Sequence, residues 1–367
     1  MGSMEYLAWF VLIFTGLQLL VALVNLLYAT VWNQDNKDEF PGLVSVLIPA
    51  RNEEENIAAL LDDLQVQSYR KIEIIVFDDQ STDKTADIVL QKSNSDKRIK
   101  LIRSSALPQG WLGKNYACHN LSKAAVGKYF LFLDADVRID QHVIGTAVKK
   151  LKTSGSSLLS VFPQQIMLSA GEMAVVPLMN YILLTLLVLP LVRYSGFSAI
   201  SAANGQFMLF DASVYKKILP HKVFKAEKVE DIKIARMLKR QKYKISCLIA
   251  QNGIRCRMYH SYAETIQGFS KNMVMFFGNS YIAAFLFWLI TTFGFVPFIY
   301  TGSVTALLIF VAMIMMTRIL VSYASGQSTG VNLCLIIPQQ INMVIILIRS
   351  IHAKLFGELE WKGRKIK

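Results

Sequence analysis

Two aspartates two residues apart, Asp134 and Asp136, follow the apolar run Tyr129–Leu133 (YFLFL). Alternate residues of an extended strand share a face, so both carboxylates can reach one hard cation. Mg2+ or Mn2+ suits such a pair, because these ions are held by one or two carboxylates and completed by substrate phosphates. The same string also reads as an acidic turn ahead of Asp140; the buried strand in front of it favours the metal-and-diphosphate reading. A second acidic pair, Asp78-Asp79, ends the run Ile72–Phe77 (IEIIVF). Acids at strand ends of doubly wound folds accept hydrogen bonds from a nucleotide's base or ribose, although a locally bonded turn fits as well. Gly110-Trp111-Leu112-Gly113-Lys114 precedes a helical stretch. Its glycines permit close backbone approach, and a helix N-terminus with a lysine attracts phosphate. It is not a Walker A string, and an ordinary glycine turn would look the same. Glu230-Asp231 opens the helical stretch Ile232–Arg240. Acids there complement the helix macrodipole, or supply a carboxylate base; the local pattern does not choose.

Such groups can act together only if the chain brings them to one edge. Val44–Pro49 (VSVLIP) is an apolar run of strand length, and Glu53–Gln67 follows with Ile57, Leu60, Leu61 and Leu64 at helical spacing. Ile72–Phe77 is the next strand, Ser81-Thr82-Asp83 offers a helix N-cap, and Ile99–Arg103 is a shorter strand. Asn115–Val126 and Val143–Leu151 read as helices around the strand Tyr129–Leu133, with Leu158–Phe162 a further strand. This alternation predicts an α/β fold with a mostly parallel sheet, and such sheets bind ligands beyond the carboxyl ends of their strands. Asp78-Asp79 and Asp134/Asp136 are both expected at that edge.

The chain has 367 residues, of which 53% are hydrophobic and 18% charged, with 39 Lys and Arg against 26 Asp and Glu, a formal charge of +13. That apolar content excludes a disordered chain, and four scattered cysteines exclude a disulfide-stapled domain. Cys118, Cys247, Cys256 and Cys334 show no metal or redox spacing. Charge and apolar content are segregated: residues 1–33 carry one acid and no base, 34–271 carry net +9, and 272–367 carry net +5. A basic globular domain over residues 40–260 is therefore expected between membrane segments. The first, 5–33, is uncharged from Tyr6 to Trp32, long enough to cross a bilayer and too long and too acidic at its start for a signal peptide. Met4 reads as the natural start. Tyr281–Tyr300, Val304–Tyr323 and Val331–Leu347 are three further apolar stretches within 281–348, two or three of which are expected to span. Residues 173–192, broken by Pro177 and Pro190, read as a membrane-surface helix, and 261–280 as an interfacial amphipathic helix. The Lys/Arg bias places the middle domain in the cytoplasm, yet three C-terminal spans would carry the basic tail 349–367 outside. One stretch is then expected to be re-entrant, with the Arg318 stretch the candidate. The basic residues lie on solvated helix faces such as Lys149-Lys150-Lys152, which suits anionic lipid rather than nucleic acid.

Taken together these strings resemble a membrane-bound glycosyltransferase of family 2, with the nucleotide-sugar-binding GT-A fold. The nearer likeness is to the branch of the diaponeurosporenoate (carotenoid acid) and hopanoid-associated glycosyltransferases, with ceramide glucosyltransferases more distant. The matching strings are IPARNEE (48–54), DDQSTD (78–83), GWLGKNYAC (110–118), DADV (134–137), NGQF (204–207), VED (229–231), RMY (257–259), QGFSKN (267–272) and EWKGR (360–364). The resemblance implies Pro49, Ala50 and Glu53 in the nucleotide pocket, with Asp79 or Asp78 on the base and Lys114 near the phosphates. It implies Asp134 and Asp136 on the metal (Mg2+ or Mn2+) and diphosphate, and Asp231 as the base that deprotonates the acceptor, with inversion at the anomeric carbon. Asn204, Gln206, Glu230 and Gln267 would lie toward sugar and acceptor. Two departures stand out: Gln80 replaces the usual Gly of DDGS, and QGFSKN lacks the Arg-Trp of (Q/R)xxRW. Lys271 would then be the phosphate-facing cation, a point charge in place of a bidentate fork.

The implied activity is transfer of a sugar, UDP-glucose favoured, from a nucleotide sugar to a lipid (carotenoid, hopanoid or sphingolipid-like) at the cytoplasmic face of a bacterial inner or plasma membrane. A processive polysaccharide synthase is the alternative, disfavoured by the short C-terminal membrane region. A catalytically inactive scaffold or transporter is disfavoured by the presence of Asp134, Asp136 and Asp231.

Overall fold

The computed structural model describes residues 2–29, 41–356, 360–361 and 364–365. The end of the first apolar stretch (30–33), residue 40 and most of the tail beyond 356, including Lys362 and Gly363 of EWKGR, lie outside the described residues. The chain forms two compact units. One comprises Tyr28–Gln164 and Leu189–Arg257, the other Met1–Leu27, Gln165–Val188 and Met258–Lys367.

The first unit is built on a seven-stranded sheet. Its strands are β1 (Val44–Ala50), β2 (Ile72–Asp78), β3 (Ile99–Arg103), β4 (Tyr129–Leu133), β6 (Leu158–Phe162), β7 (Phe207–Asp211) and β8 (Ile245–Ile249), in the spatial order β3-β2-β1-β4-β7-β6-β8. A short strand β5 (Val137–Ile139) pairs antiparallel with β9 (Ile254–Cys256) beside it. Strands β1, β2 and β4 are buried almost throughout, as continuous apolar runs covered on both faces must be. The helix Ile57–Gln65 buries the four expected residues Ile57, Leu60, Leu61 and Leu64. The sheet is parallel except at β7, which runs antiparallel to both β4 and β6. That reversed strand is absent from the sequence reading; its FMLF run carries no mark of direction.

Register decides what meets at the edge. Ala50 pairs with Asp78, so β1 and β2 end side by side. Leu133 pairs with Phe207, so the residues just before β7 face those just after β4. At the opposite end a buried knot ties three strands' approaches. The Ser45 hydroxyl donates to Glu73 (2.6 Å), Val126 N–H donates to the same carboxylate (2.9 Å), and Gly127 N–H donates to Ser45 (2.9 Å). Burial alone would raise Glu73, but the Ser45 and Val126 donors hold its carboxyl below the ordinary range.

The second unit is helical. Ser3–Tyr28, Val304–Ala324 and Ile336–Leu355 are each long and apolar enough to cross a membrane. Tyr262–Phe277 and Tyr281–Phe293 form a pair bent by 97°. The bend has a local cause: Gly278 and Asn279 take left-handed φ values of 65° and 66°, which no helix continues through. The helices bear on three stretches read from the sequence. The stretch 173–192 is not a surface helix: its central helix, Pro177–Leu186, buries all nine residues from Pro177 to Thr185. The Arg318 stretch is an unbroken helix, and the bent pair at 262–293 has the form of a broken span or a re-entrant loop. The stretch 281–300 is two short helices, Tyr281–Phe293 and Val296–Thr301. At roughly 20 Å for thirteen residues, Tyr281–Phe293 falls short of a hydrocarbon core of roughly 30 Å.

Gly268, in the QGFSKN string, lies against the Tyr259 ring: a Cβ there would come within 2.1 Å of the phenol oxygen. Gly268→Ala is therefore expected to cost about 1–3 kcal/mol, read as a lower unfolding temperature of the purified chain.

Candidate active site

The carboxyl ends of β1, β2 and β4 carry the polar residues singled out in the sequence. After β1 and β2 the backbone is clasped loop to loop. Asn52 N–H donates to the Ser81 hydroxyl (3.0 Å), Thr82 N–H to Asn52 Oδ1 (2.9 Å), Glu53 N–H to the Thr85 hydroxyl (2.8 Å) and Glu54 N–H to Asp83 (3.0 Å). Asp78 and Asp79 are both buried, and Asp79 N–H donates to Ala50 O (2.8 Å). Asp78 Oδ1 accepts from Ser81 N–H (3.2 Å), so part of this acidic pair does serve the turn. Pro49 and Ala50 end β1 beside them. Gln80 sits at φ 58°, a left-handed conformation that glycine adopts without strain. Its side-chain amide donates to Ser105 O (3.1 Å), which offsets part of that cost.

Beyond β4 the site closes around two elements far apart in sequence. Asp134 N–H donates to Gln206 O (3.1 Å), the contact that the β4–β7 register requires. Lys114 Nζ donates to Asp134 Oδ2 (2.7 Å) and to Gly205 O (3.3 Å). Lys114 starts the helix Gly113–Ala124, whose Asn115 amide donates to three carbonyls, Phe224, Lys225 and Glu227. Those bonds anchor the segment that leads into the helix Glu230–Arg240. Asp231 then accepts from Gly205 N–H (3.0 Å) and from Ile232 N–H (2.7 Å). Gly205 is thus the hub: a Cβ on it would lie 3.2 Å from Lys114 Nζ, 3.4 Å from Glu230 Oε1 and 3.7 Å from Asp231 Oδ2. The sequence offered no signal for that role beyond the Gly of NGQF.

Asn204 and Gln206 are buried and shape this hub. Asn204 N–H donates to Ser160 (2.7 Å), its Oδ1 accepts from Gln206 N–H (2.8 Å), and the Gln206 amide donates to Cys256 Sγ (2.8 Å). Gln206 Oε1 is buried without a hydrogen-bond partner. Of the sequence candidates, Pro49, Ala50, Glu53, Asp78, Asp79, Lys114, Asp134, Asp136, Asn204, Gln206, Glu230 and Asp231 share this unit. Gln267, exposed, and Lys271 stand on the helix Tyr262–Asn272 of the helical unit.

Charge is concentrated. Burial, then the charges of Asp134 and Glu53, push the Asp136 carboxyl up to about 7. Burial also raises Glu230 and Asp231, opposed by the Lys114 ammonium and, for Asp231, by the two N–H donors. Asp136 Oδ1 is buried and unpartnered. Among the described residues no group of three His, Cys, Asp or Glu side chains could hold a metal. Two carboxylates, one with an unpartnered oxygen, fit a hard cation whose remaining positions belong to phosphate and water. The arrangement places Asp78 and Asp79 where β2 ends beside β1, the carboxylates of Asp134 and Asp136 beyond β4, and a carboxylate raised by burial at Gly205.

Gly205→Ala is expected to push Lys114 away from Asp134 while leaving the sheet intact. Displacing a catalytic group by 1 Å can cost roughly 10²-fold in rate. Turnover should fall steeply with little change in unfolding temperature; unchanged turnover would remove Gly205 from the site.

The family model described as Glycosyl transferase family 2 matches residues 45–219. A 4,4'-diaponeurosporenoate glycosyltransferase of Staphylococcus haemolyticus is 25% identical over 272 residues, covering 71% of this chain and 69% of that protein. The UDP-Glc:alpha-D-GlcNAc-diphosphoundecaprenol beta-1,3-glucosyltransferase WfaP of Escherichia coli is 38% identical over 94 residues, covering 26% of this chain and 35% of that protein. Among solved structures, the mannosyltransferase PcManGT from Pyrobaculum calidifontis, in complex with GDP-Man and Mn2+, aligns with a TM-score of 0.59 at 16% identity. That alignment covers 97% of this chain and all of the other; at such identity it speaks for the fold, which is GT-A-like.

Proposed function

We propose that this chain, a member of glycosyl transferase family 2 through its domain at residues 45–219, moves a sugar from a nucleotide sugar to a lipid acceptor at a membrane surface. The observation that carries the reading is the Lys114–Asp134–Gly205–Asp231 constellation beyond β4, held together by backbone and side-chain bonds. Asp78, Asp79, Pro49, Ala50 and Glu53 are proposed to receive the nucleoside, with UDP-glucose the favoured donor. A divalent cation held by Asp134 and Asp136 would neutralise charge on the diphosphate. The Asp231 carboxylate, raised by burial, takes the proton of the acceptor hydroxyl. The acceptor oxygen forms its bond to the anomeric carbon from the face opposite the leaving nucleoside diphosphate, and the configuration inverts. Asn204, Gln206 and Glu230 bound the sugar side. On the family likeness, Gln267 and Lys271 serve acceptor and diphosphate.

A lipid acceptor and an integral membrane placement are supported by three apolar helices and by the names of relatives that act on a carotenoid acid and an undecaprenol-linked sugar. Taken as a re-entrant loop rather than a broken span, the bent pair at 262–293 leaves three spans and no topological conflict. With Ser3–Tyr28, Val304–Ala324 and Ile336–Leu355 as the three spans, the basic domain and the basic tail fall on the same, cytoplasmic side. A reporter fused after residue 367 should then give the cytoplasmic signal; an external signal would require a fourth span.

Incubating membranes with a panel of radiolabelled nucleotide sugars and a lipid extract tests the function. Label should enter the lipid phase from one donor. Label in a polymer would select a processive synthase, and no transfer from any donor would remove the enzymatic reading.

A further inference from the structure

Arg318 stands in the apolar helix Val304–Ala324 and is 3% exposed. Its guanidinium donates to Gln339 Oε1 and lies 3.8 Å from the centre of the Tyr181 ring. Its Nε is buried without a hydrogen-bond partner, and among the described residues no carboxylate pairs with it. A buried cation without a counter-charge is costly, and breaking up such a charge's neutralisation destabilises strongly. Ionisable residues inside apolar spans accordingly mark ligand or ion sites more often than packing.

What Arg318 lines is a cavity of about 570 Å³ inside the helical unit. That volume lies within the range of small-molecule sites. Its walls are otherwise almost wholly apolar, among them Phe310, Ile314 and Val344. Two acceptors of Gln340 are engaged: Trp288 Nε1–H donates to its backbone carbonyl (2.9 Å) and the Thr292 hydroxyl to its side-chain Oε1 (2.9 Å). Leu308, Ile337 and Ile341, which also line it, are 64%, 72% and 54% exposed. The cavity therefore meets the apolar outer surface of the helices, where a long hydrocarbon chain can enter sideways.

We propose that this cavity binds a long-chain lipid bearing one anionic end group, carboxylate or phosphate, with Arg318 as its counter-ion and the apolar walls around its chain. The guanidinium presents a planar fork suited to either anion. The proposal rests on the reading that the helical unit sits in the bilayer and meets lipid substrate. It names the class of lipid: acidic and long-chained, rather than a neutral sterol-like body.

The test uses the purified full chain in detergent, without nucleotide sugar, and the fluorescence of bound cis-parinaric acid. Oleate, oleyl alcohol and oleoyl lysophosphatidate are the displacing ligands. The acids should displace the probe roughly 10–100-fold better than the alcohol, the difference a charge-assisted hydrogen bond makes. Stronger displacement by oleate assigns a carboxylate, by lysophosphatidate a phosphate; both support the site. In Arg318→Gln the acid-over-alcohol preference should vanish while alcohol binding persists. Equal displacement by acid and alcohol in the unaltered protein, or a preference that survives Arg318→Gln, overturns the proposal. Should Arg318→Gln fail to fold, Ile337→Trp, placed at the exposed rim, keeps the test decisive: it should block probe binding, and unchanged binding overturns the site. Because no sugar is transferred in this assay, its failure leaves the transferase reading standing, and loss of transfer leaves the lipid site standing.

Discussion

Asp231→Asn is expected to lower sugar transfer by roughly 10²–10⁴-fold, the usual contribution of a positioned general base, while the protein still folds and binds its nucleotide. The geometry explains why the two effects separate. Asp231 opens the helix Glu230–Arg240, and its two oxygens accept from Gly205 N–H and Ile232 N–H. Asparagine keeps one of those acceptors and is nearly isosteric, so the cost in stability is about that of one buried hydrogen bond, roughly 1–3 kcal/mol. What it cannot do is take a proton. Burial raises the Asp231 carboxyl, which makes it a stronger base than an exposed aspartate. The Lys114 ammonium and the two N–H donors oppose that rise. A purely capping Asp231 would show the reverse pattern in Asp231→Asn: a lower unfolding temperature and nearly unchanged turnover.

The second large effect concerns Asp136. In Asp136→Ala, nucleotide-sugar affinity in the presence of Mn2+ should fall by roughly 10²-fold, since several kcal/mol of charge stabilisation is at stake, and affinity in EDTA should not change. Unchanged affinity with Mn2+ would remove Asp136 from the cation site. The same variant should unfold in EDTA at an equal or higher temperature than the unaltered chain. Asp136 carries a buried oxygen without a partner, and its carboxyl is held near about 7 by burial and by the charges of Asp134 and Glu53. Removing it relieves that burial and repulsion. A residue kept for function at some expense of stability behaves in this way; a structural one does not.

Much of this site is legible in the amino-acid sequence because strand ends announce themselves. Apolar runs followed directly by acids placed Asp78, Asp79, Asp134 and Asp136 at the carboxyl edge of the sheet, where the register of β1 and β2 puts the first pair. The reversed strand β7 was not legible, and with it went the reason Asn204 and Gln206 sit beside Asp134. A four-residue apolar run shows burial but not direction. The Lys114–Asp134 ion pair was likewise hidden, because it joins residues on different elements and each has a local explanation of its own. In the helical unit, hydropathy found the apolar stretches but not the turn at Gly278-Asn279, since a bend depends on two residues' φ angles rather than on the apolar content of twenty. Arg318 reads in the sequence as a charge interrupting a span; its helix is unbroken, and the bent pair lies at 262–293. Its contacts, Tyr181 and Gln339, come from segments that no local pattern connects to it.

The most direct test of the central claim is a single assay on membranes containing the unaltered chain or Asp231→Asn, given radiolabelled UDP-glucose and lipid extract with Mn2+ or with EDTA. Label should pass into the organic phase only with the unaltered chain and Mn2+. Equal label in the Asp231→Asn membranes, or label confined to water-soluble or polymeric product, would contradict the assignment of a metal-assisted transfer to lipid with Asp231 as its base.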